Sequence, residues 1–171
     1  MDEEILDLVN DKDEIIGKIK RSEVGRLVPE KLGYIRASDM FIKNSEGKLW
    51  IPKRTPDKTI APNGLDYSCG GHVSAGDDYD TTITKEVEEE LNFSLDPSKL
   101  HFVTKFVPAS TPYFRAVYIY DSNETPAFNP NDFVSAEWMF PTDLLAKIDA
   151  GVPAKTSIRE TVLKLLELGK I

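Results

Sequence analysis

Apolar and polar residues alternate along this chain in two registers, and the change from one to the other separates strands from helices. Near the start, Ile5, Leu6, Leu8 and Val9, a polar run, and then Ile15, Ile16 and Ile19 predict a hairpin over residues 4–20. Residues 36–43, the turn Asn44-Ser45-Glu46-Gly47 and residues 48–54 predict a second hairpin, with Trp50 on its core side. Further strands are expected at 67–70, 101–108, 114–121 and 136–140. Between residues 79 and 91 the period lengthens: Tyr79, Ile83, Val87 and Leu91 recur every fourth position, the apolar stripe of a helix that packs on a sheet. Two more helices are expected at 142–148 and 157–168. In the last of these, Ser157 and Glu160 have capping-box spacing, and Ile158, Val162 and Leu165 form the stripe. No internal repeat or low-complexity segment interrupts this mixed pattern, which defines an α+β fold.

The helix at 79–91 carries Glu86, Glu89 and Glu90 away from its apolar stripe. With about 3.6 residues per turn, positions three and four apart share a face, so these carboxylates converge. Like charges at that spacing repel, and a hard divalent cation such as Mg²⁺, which prefers oxygen ligands, would offset the repulsion. Asp78 or Asp80 is the expected N-cap, and Lys85 is placed to pair with Glu89 one turn on.

Composition narrows the class. The 171 residues, 40% hydrophobic and 29% charged, suit one domain over 1–171 with a real core. A net charge of −8 argues against a general nucleic-acid binder, whose affinity rests on neutralising phosphates. The acidic amino-terminal segment lacks the basic-then-apolar layout of a signal peptide, and no apolar run approaches the roughly 18 residues that span a bilayer. A single cysteine, Cys69, excludes an internal disulfide. These features lead to the expectation of a cytoplasmic protein without a membrane partner.

Residues 71–93, GHVSAGDDYDTTITKEVEEELNF, resemble the Nudix box: Gly, five residues, Glu, seven residues, Arg-Glu, an aliphatic residue, any residue, Glu-Glu, any residue, Gly, an aliphatic residue. Gly71, Glu86, Val87, Glu89, Glu90 and Phe93 are in register. Asp77 replaces Glu, Lys85 replaces Arg and Asn92 replaces the second Gly. The first two keep charge sign, and Asn tolerates the left-handed conformation that often ends a helix. Lys85 lacks the planar fork with which arginine orients a glutamate, so retuned activity is expected. The resemblance implies an αβα sandwich around a mixed sheet. It implies Glu86, Glu89 and Glu90 as ligands of Mg²⁺, with Mn²⁺ as the alternative ion, and the Gly70 carbonyl as a further ligand. One glutamate would serve as or orient the general base, Lys85 would belong to the catalytic group, and the reaction would be cleavage of a diphosphate linkage. A homodimer fits the superfamily's habits.

The segments DLVNDKDEIIGKIKR, NSEGKLWIPKR, GLDYSCGGHVSAGD and AEWMFPTDLLAKI extend the resemblance, over residues 5–150, to the isopentenyl-diphosphate isomerase-like branch. The isomerase chemistry itself lacks its residues here: Gly70 stands at the cysteine position, with Cys69 turned to the opposite face by strand alternation, and the strand near 111–120 has no glutamate. His72 matches one metal ligand of the branch and is a substrate-binding candidate beside the metal loop, whereas His101 lies elsewhere. Arg54 and Lys58 match basic positions that hold the diphosphate. Arg36, like Arg115, is a weaker substrate-binding candidate. Glu124 and Asp132 lie in a late loop that could add a carboxylate. The expected function is therefore a Mg²⁺-dependent hydrolase of a small organic diphosphate, a nucleoside diphosphate derivative included. An isomerase and a catalytically weak Nudix-fold binding module are the alternatives.

Overall fold

The computed structural model describes residues 3–109 and 111–171. In chain order it contains β1 (Ile5–Val9), β2 (Ile15–Lys20), β3 (Ile35–Lys43), β4 (Leu49–Arg54), β5 (Cys69–His72), α1 (Tyr79–Leu91), β6 (Leu100–Phe106), β7 (Tyr113–Asp121), β8 (Phe133–Met139), α2 (Pro141–Asp149) and α3 (Ile158–Glu167), with two short 3₁₀ turns. β1 and β2 form the expected antiparallel hairpin. The other strands form a six-stranded mixed sheet in the order β6-β7-β3-β4-β8, with β5 also on β3. Only the β3–β7 pairing within it is parallel.

Strand alternation sorts the core into two layers. Phe41, Leu49, Ile51, Val117 and Ile119 point to one face, where Leu144 of α2 and Ile158, Val162 and Leu165 of α3 cover them. Met40, Ile42, Trp50, Tyr118 and Tyr120 point to the other, against Ile83, Val87 and Leu91 of α1. This is an αβα sandwich, and Trp50 is core. Burial of each α1 stripe residue contributes about 1.5–3 kcal/mol to holding the helix on the sheet. No helix among the described residues is long and apolar enough to cross a membrane.

β3 changes neighbour along its length: Lys43 pairs with Leu49 of β4, whereas Ala37 to Met40 pair with β5. Ser68 fills the divergence. Its buried hydroxyl accepts from Ile42 N at 2.8 Å and donates to Trp50 O at 2.6 Å, replacing ladder bonds that the splay removes. Ser68→Ala would leave both backbone groups without partners, and each such loss costs about 1–3 kcal/mol. We expect a lower midpoint in urea denaturation at unchanged slope.

Local details depart from the sequence pattern in physical ways. β5 starts two residues later than expected, because Tyr67 and Ser68 are drawn into the core. Asp78, not Asp80, caps α1, accepting from Thr81 N at 2.7 Å, while Asp80 accepts from the Tyr118 hydroxyl. Asn92 ends α1 in the left-handed region at φ 56°, as the box glycine would, and donates to Ala127 O at 2.6 Å. The expected capping box of α3 does not form. Ser157 accepts from the Tyr67 hydroxyl at 3.0 Å, and Glu160 pairs with Arg115, so tertiary contacts take both side chains.

Candidate active site

A cavity of about 1120 Å³ is lined by β3, β4, β5, α1, β7 and the segment before α3. The box helix contributes Thr82, Lys85, Glu86, Glu89 and Glu90 to it, and β5 contributes Gly70, Gly71 and His72. The glutamates divide unequally. At about 100° per residue, Glu90 lies some 40° from Glu86, while Glu89 lies about 60° to the other side. Glu86 and Glu90 are accordingly partly buried and Glu89 is exposed. As the side chains stand, no three His, Cys, Asp or Glu groups among the described residues form a complete metal cage.

Burial, then the neighbouring Glu89, pushes the Glu86 carboxyl up to about 7. Burial, then Glu86 and Asp66, pushes Glu90 up to about 8. The Gly70 amide donates to Glu90 Oε2 at 3.3 Å, so this strand orients one carboxylate directly. Gly71 orients the other by having no side chain: a Cβ there would fall closer than 3.0 Å to the Glu86 carboxyl. Cys69 is buried in the α1-side core, near Glu90. Burial first, and then Glu90, push its thiol well above its ordinary range.

These residues fit a divalent cation. Two partly buried carboxylates hold protons abnormally tightly because burial penalises their charge and no ion pair among the described residues offsets it, and their oxygens suit a hard ion. Thr82 Oγ1, one turn before Glu86, is buried without a hydrogen-bond partner in the same wall. The fit predicts a pH dependence. In the folded, metal-free protein both carboxyls keep protons that the unfolded chain has lost, so stability falls as pH rises from about 5 through about 8. Thermal unfolding in EDTA should show a midpoint falling by several degrees over that range, at about 2–4 °C per kcal/mol. Replacing both residues by Gln should flatten the slope.

The cationic candidates are more committed than their sequence suggests. Lys85 does not reach Glu89; it pairs with Asp77 at 2.7 Å. Two departures from the box pattern thus meet each other, tying the loop to the helix without entering the glutamate pair. Arg54 pairs with Asp66 and donates to Ile60 O at 2.8 Å. Lys58 pairs with Asp132 at 2.5 Å, and all four of these charged residues except Asp66 line the cavity. Arg36 does not line it: its guanidinium sits 2.6 Å from Asp13, which also accepts from Tyr79 and Lys105, and this cluster docks the first hairpin. Arg115 is buried and bridges Asp39 at 3.5 Å, the Tyr67 hydroxyl at 2.9 Å and Glu160. His72 lines the cavity beside the Tyr113 ring, at 5.6 Å between centroids. Burial and then Arg21 lower it to about 4, so it is a neutral imidazole near pH 7 and supplies no charge to a phosphate. Glu124 lies at a separate open groove.

Sequence reasoning missed Asp39, Asp66, Thr82 and Lys155 on the cavity wall or directly behind it. None belongs to a recognisable spacing. They come together only because β3, the approach to β5, α1 and the α2–α3 segment converge.

Comparison with known proteins agrees with the fold and with the box helix. The NUDIX domain family model matches residues 33–160. A Nudix hydrolase of Deinococcus radiodurans is 41% identical over 162 residues, covering 94% of this chain and 92% of its own. An uncharacterized Nudix hydrolase of Nostoc sp. is 38% identical over 167 residues, covering 94% of this chain and 95% of its own. The crystal structure of DR0079 from Deinococcus radiodurans superposes with a TM-score of 0.84 at 40% identity, covering 94% of this chain and 98% of that one. A MutT protein from Methanosarcina mazei, at 16% identity and a TM-score of 0.62 over 81% of this chain and 97% of that one, shares the fold. The chain belongs to the Nudix family, and it is a hydrolase acting on diphosphate bonds.

Proposed function

We propose that the protein is a Mg²⁺-dependent, cytoplasmic hydrolase that cleaves the diphosphate linkage of a nucleoside diphosphate derivative or another small organic diphosphate. The observation that carries this reading is the Glu86–Glu90 pair, held in the cavity by Gly70 and Gly71 with no ion-pair partner among the described residues. Glu86 and Glu90 would hold the ion, with exposed Glu89 and the Gly70 carbonyl as its further ligands. When bound, the ion offsets charge developing on the phosphoryl oxygens. One of the glutamates receives the proton of the attacking water, and Arg54 and Lys58 orient the phosphate chain.

Phosphorus NMR of a panel of nucleotide and isoprenoid diphosphates, with and without Mg²⁺, tests the proposal. New phosphate resonances that require Mg²⁺ and vanish in Glu86→Gln/Glu90→Gln are expected. No cleavage of any compound, together with undiminished binding by the double variant, would favour the binding module. The isomerase reading has less support: Cys69 lies in the core, and no cysteine lines the cavity among the described residues.

A further inference from the structure

Among the cavity's cations, Lys155 belongs neither to the box nor to the basic positions of the isomerase-like branch. Lys155 enters from the segment between α2 and α3, and its backbone is strapped to Leu65. Leu65 N donates to Pro153 O at 2.8 Å, and Lys155 N donates to Leu65 O at 2.9 Å. Gly64 lets this strap lie close, since a Cβ there would meet Ala61 O at 2.9 Å and Ala154 Cα at 3.3 Å. The Lys155 side chain keeps 22% exposure, and that exposure opens on the cavity. Its ammonium lies 3.2 Å from Asp66 Oδ1 and 5.7 Å from the centre of the Tyr67 ring.

An ammonium has three donors, and among the described residues Asp66 is the one carboxylate in ion-pair contact with this one. Asp66 already has a partner, because Arg54 takes its other oxygen. One buried carboxylate therefore carries two cations side by side, and this trio has a surplus positive charge, faced from β3 by buried Asp39, which already bridges Arg115 at 3.5 Å. A lysine serving only to neutralise Asp66 would be redundant, and holding an ammonium out of water is costly. A phosphoryl group, which offers only anionic acceptor oxygens, matches what this wall presents.

We propose that Lys155 and Arg54, held together on Asp66, form a phosphoryl-binding subsite of the cavity, with Asp66 as its positioning residue. The proposal rests on the hydrolase reading and adds the place where a phosphoryl group is gripped. It makes Lys155 a substrate-binding residue and leaves the glutamate pair to the metal.

Calorimetric titration of the EDTA-treated protein with inorganic pyrophosphate tests it, with hydrolysis measured in parallel. Wild type should bind. Lys155→Met should weaken binding by about tenfold or more and raise KM more than it lowers kcat, and Lys155→Arg should recover most of the loss. Asp66→Asn should weaken binding although it removes a negative charge, which simple electrostatics would not give. Unchanged pyrophosphate affinity in Lys155→Met overturns the subsite even if hydrolysis is confirmed, and so does an absence of binding to wild type. Binding lost in Lys155→Met but with no hydrolysis by wild type upholds the subsite and removes the hydrolase reading. Should Lys155→Met fail to fold, wild type alone decides: pyrophosphate should protect Lys155 from reductive methylation, read by peptide mass spectrometry, and equal labelling with and without it overturns the proposal.

Discussion

Replacing Glu90 with Gln is expected to lower kcat on the order of 10³-fold while the metal-free protein becomes more stable above about pH 7. The two effects have one cause. In the folded chain Glu90 is forced up to about 8 by burial and by Glu86, so its ionised form is a liability until a cation joins it. A glutamine keeps an oxygen for the Gly70 amide, which preserves packing, and removes the charge proposed to bind the ion. Activity and stability should therefore move in opposite directions. Steady-state kinetics with Mg²⁺ and thermal unfolding in EDTA at about pH 8 measure both. A variant that loses activity and stability together would indicate a structural role.

Gly71→Ala should separate the same two quantities in another way. The added Cβ would collide with the Glu86 carboxyl, the far end of a flexible side chain, and with no backbone atom among its nearest neighbours. The β3–β5 ladder at Ser38 can persist while Glu86 swings out of place. We expect kcat to fall on the order of 10²-fold, as misplacement of a catalytic group does, with the thermal midpoint within a few degrees of wild type. Gly70→Ala supplies the contrast. There the Cβ would meet Ser38 O at 2.8 Å and Asp39 Oδ1 at 2.7 Å, so the strands must part and stability must fall as well. Equal loss of stability in both variants would remove Gly71 from the site argument.

The sandwich was legible because alternation is a local property: Phe41 and Ile51 pack on one face, Met40 and Trp50 on the other, as a period of two requires. The stripe Ile83, Val87 and Leu91 was legible for the same reason at helical period. The glutamate pair was legible in part. Spacing grouped Glu86, Glu89 and Glu90, but only the packing of α1 on β5 distinguishes the two inner carboxylates from the outer one. Ion-pair partners were not legible. Lys85 chose Asp77 over Glu89, Arg36 chose Asp13 on a distant hairpin, and Glu160 chose Arg115 over the backbone of its own helix. In each case a side chain reaches a partner brought near by tertiary folding, which helical or strand period does not encode. Lys155 is the extreme case, a lysine in an undistinguished loop that the strap to Leu65 carries into the cavity.

The central claim is that Glu86 and Glu90 together hold the divalent ion that diphosphate cleavage requires. Titration of Mn²⁺ followed by electron paramagnetic resonance, on wild type and on Glu86→Gln/Glu90→Gln, tests it without any substrate. Wild type should take up the ion, Mg²⁺ should displace it, and the double variant should bind at least about 100-fold more weakly. Equal Mn²⁺ affinity in the two proteins would contradict the account.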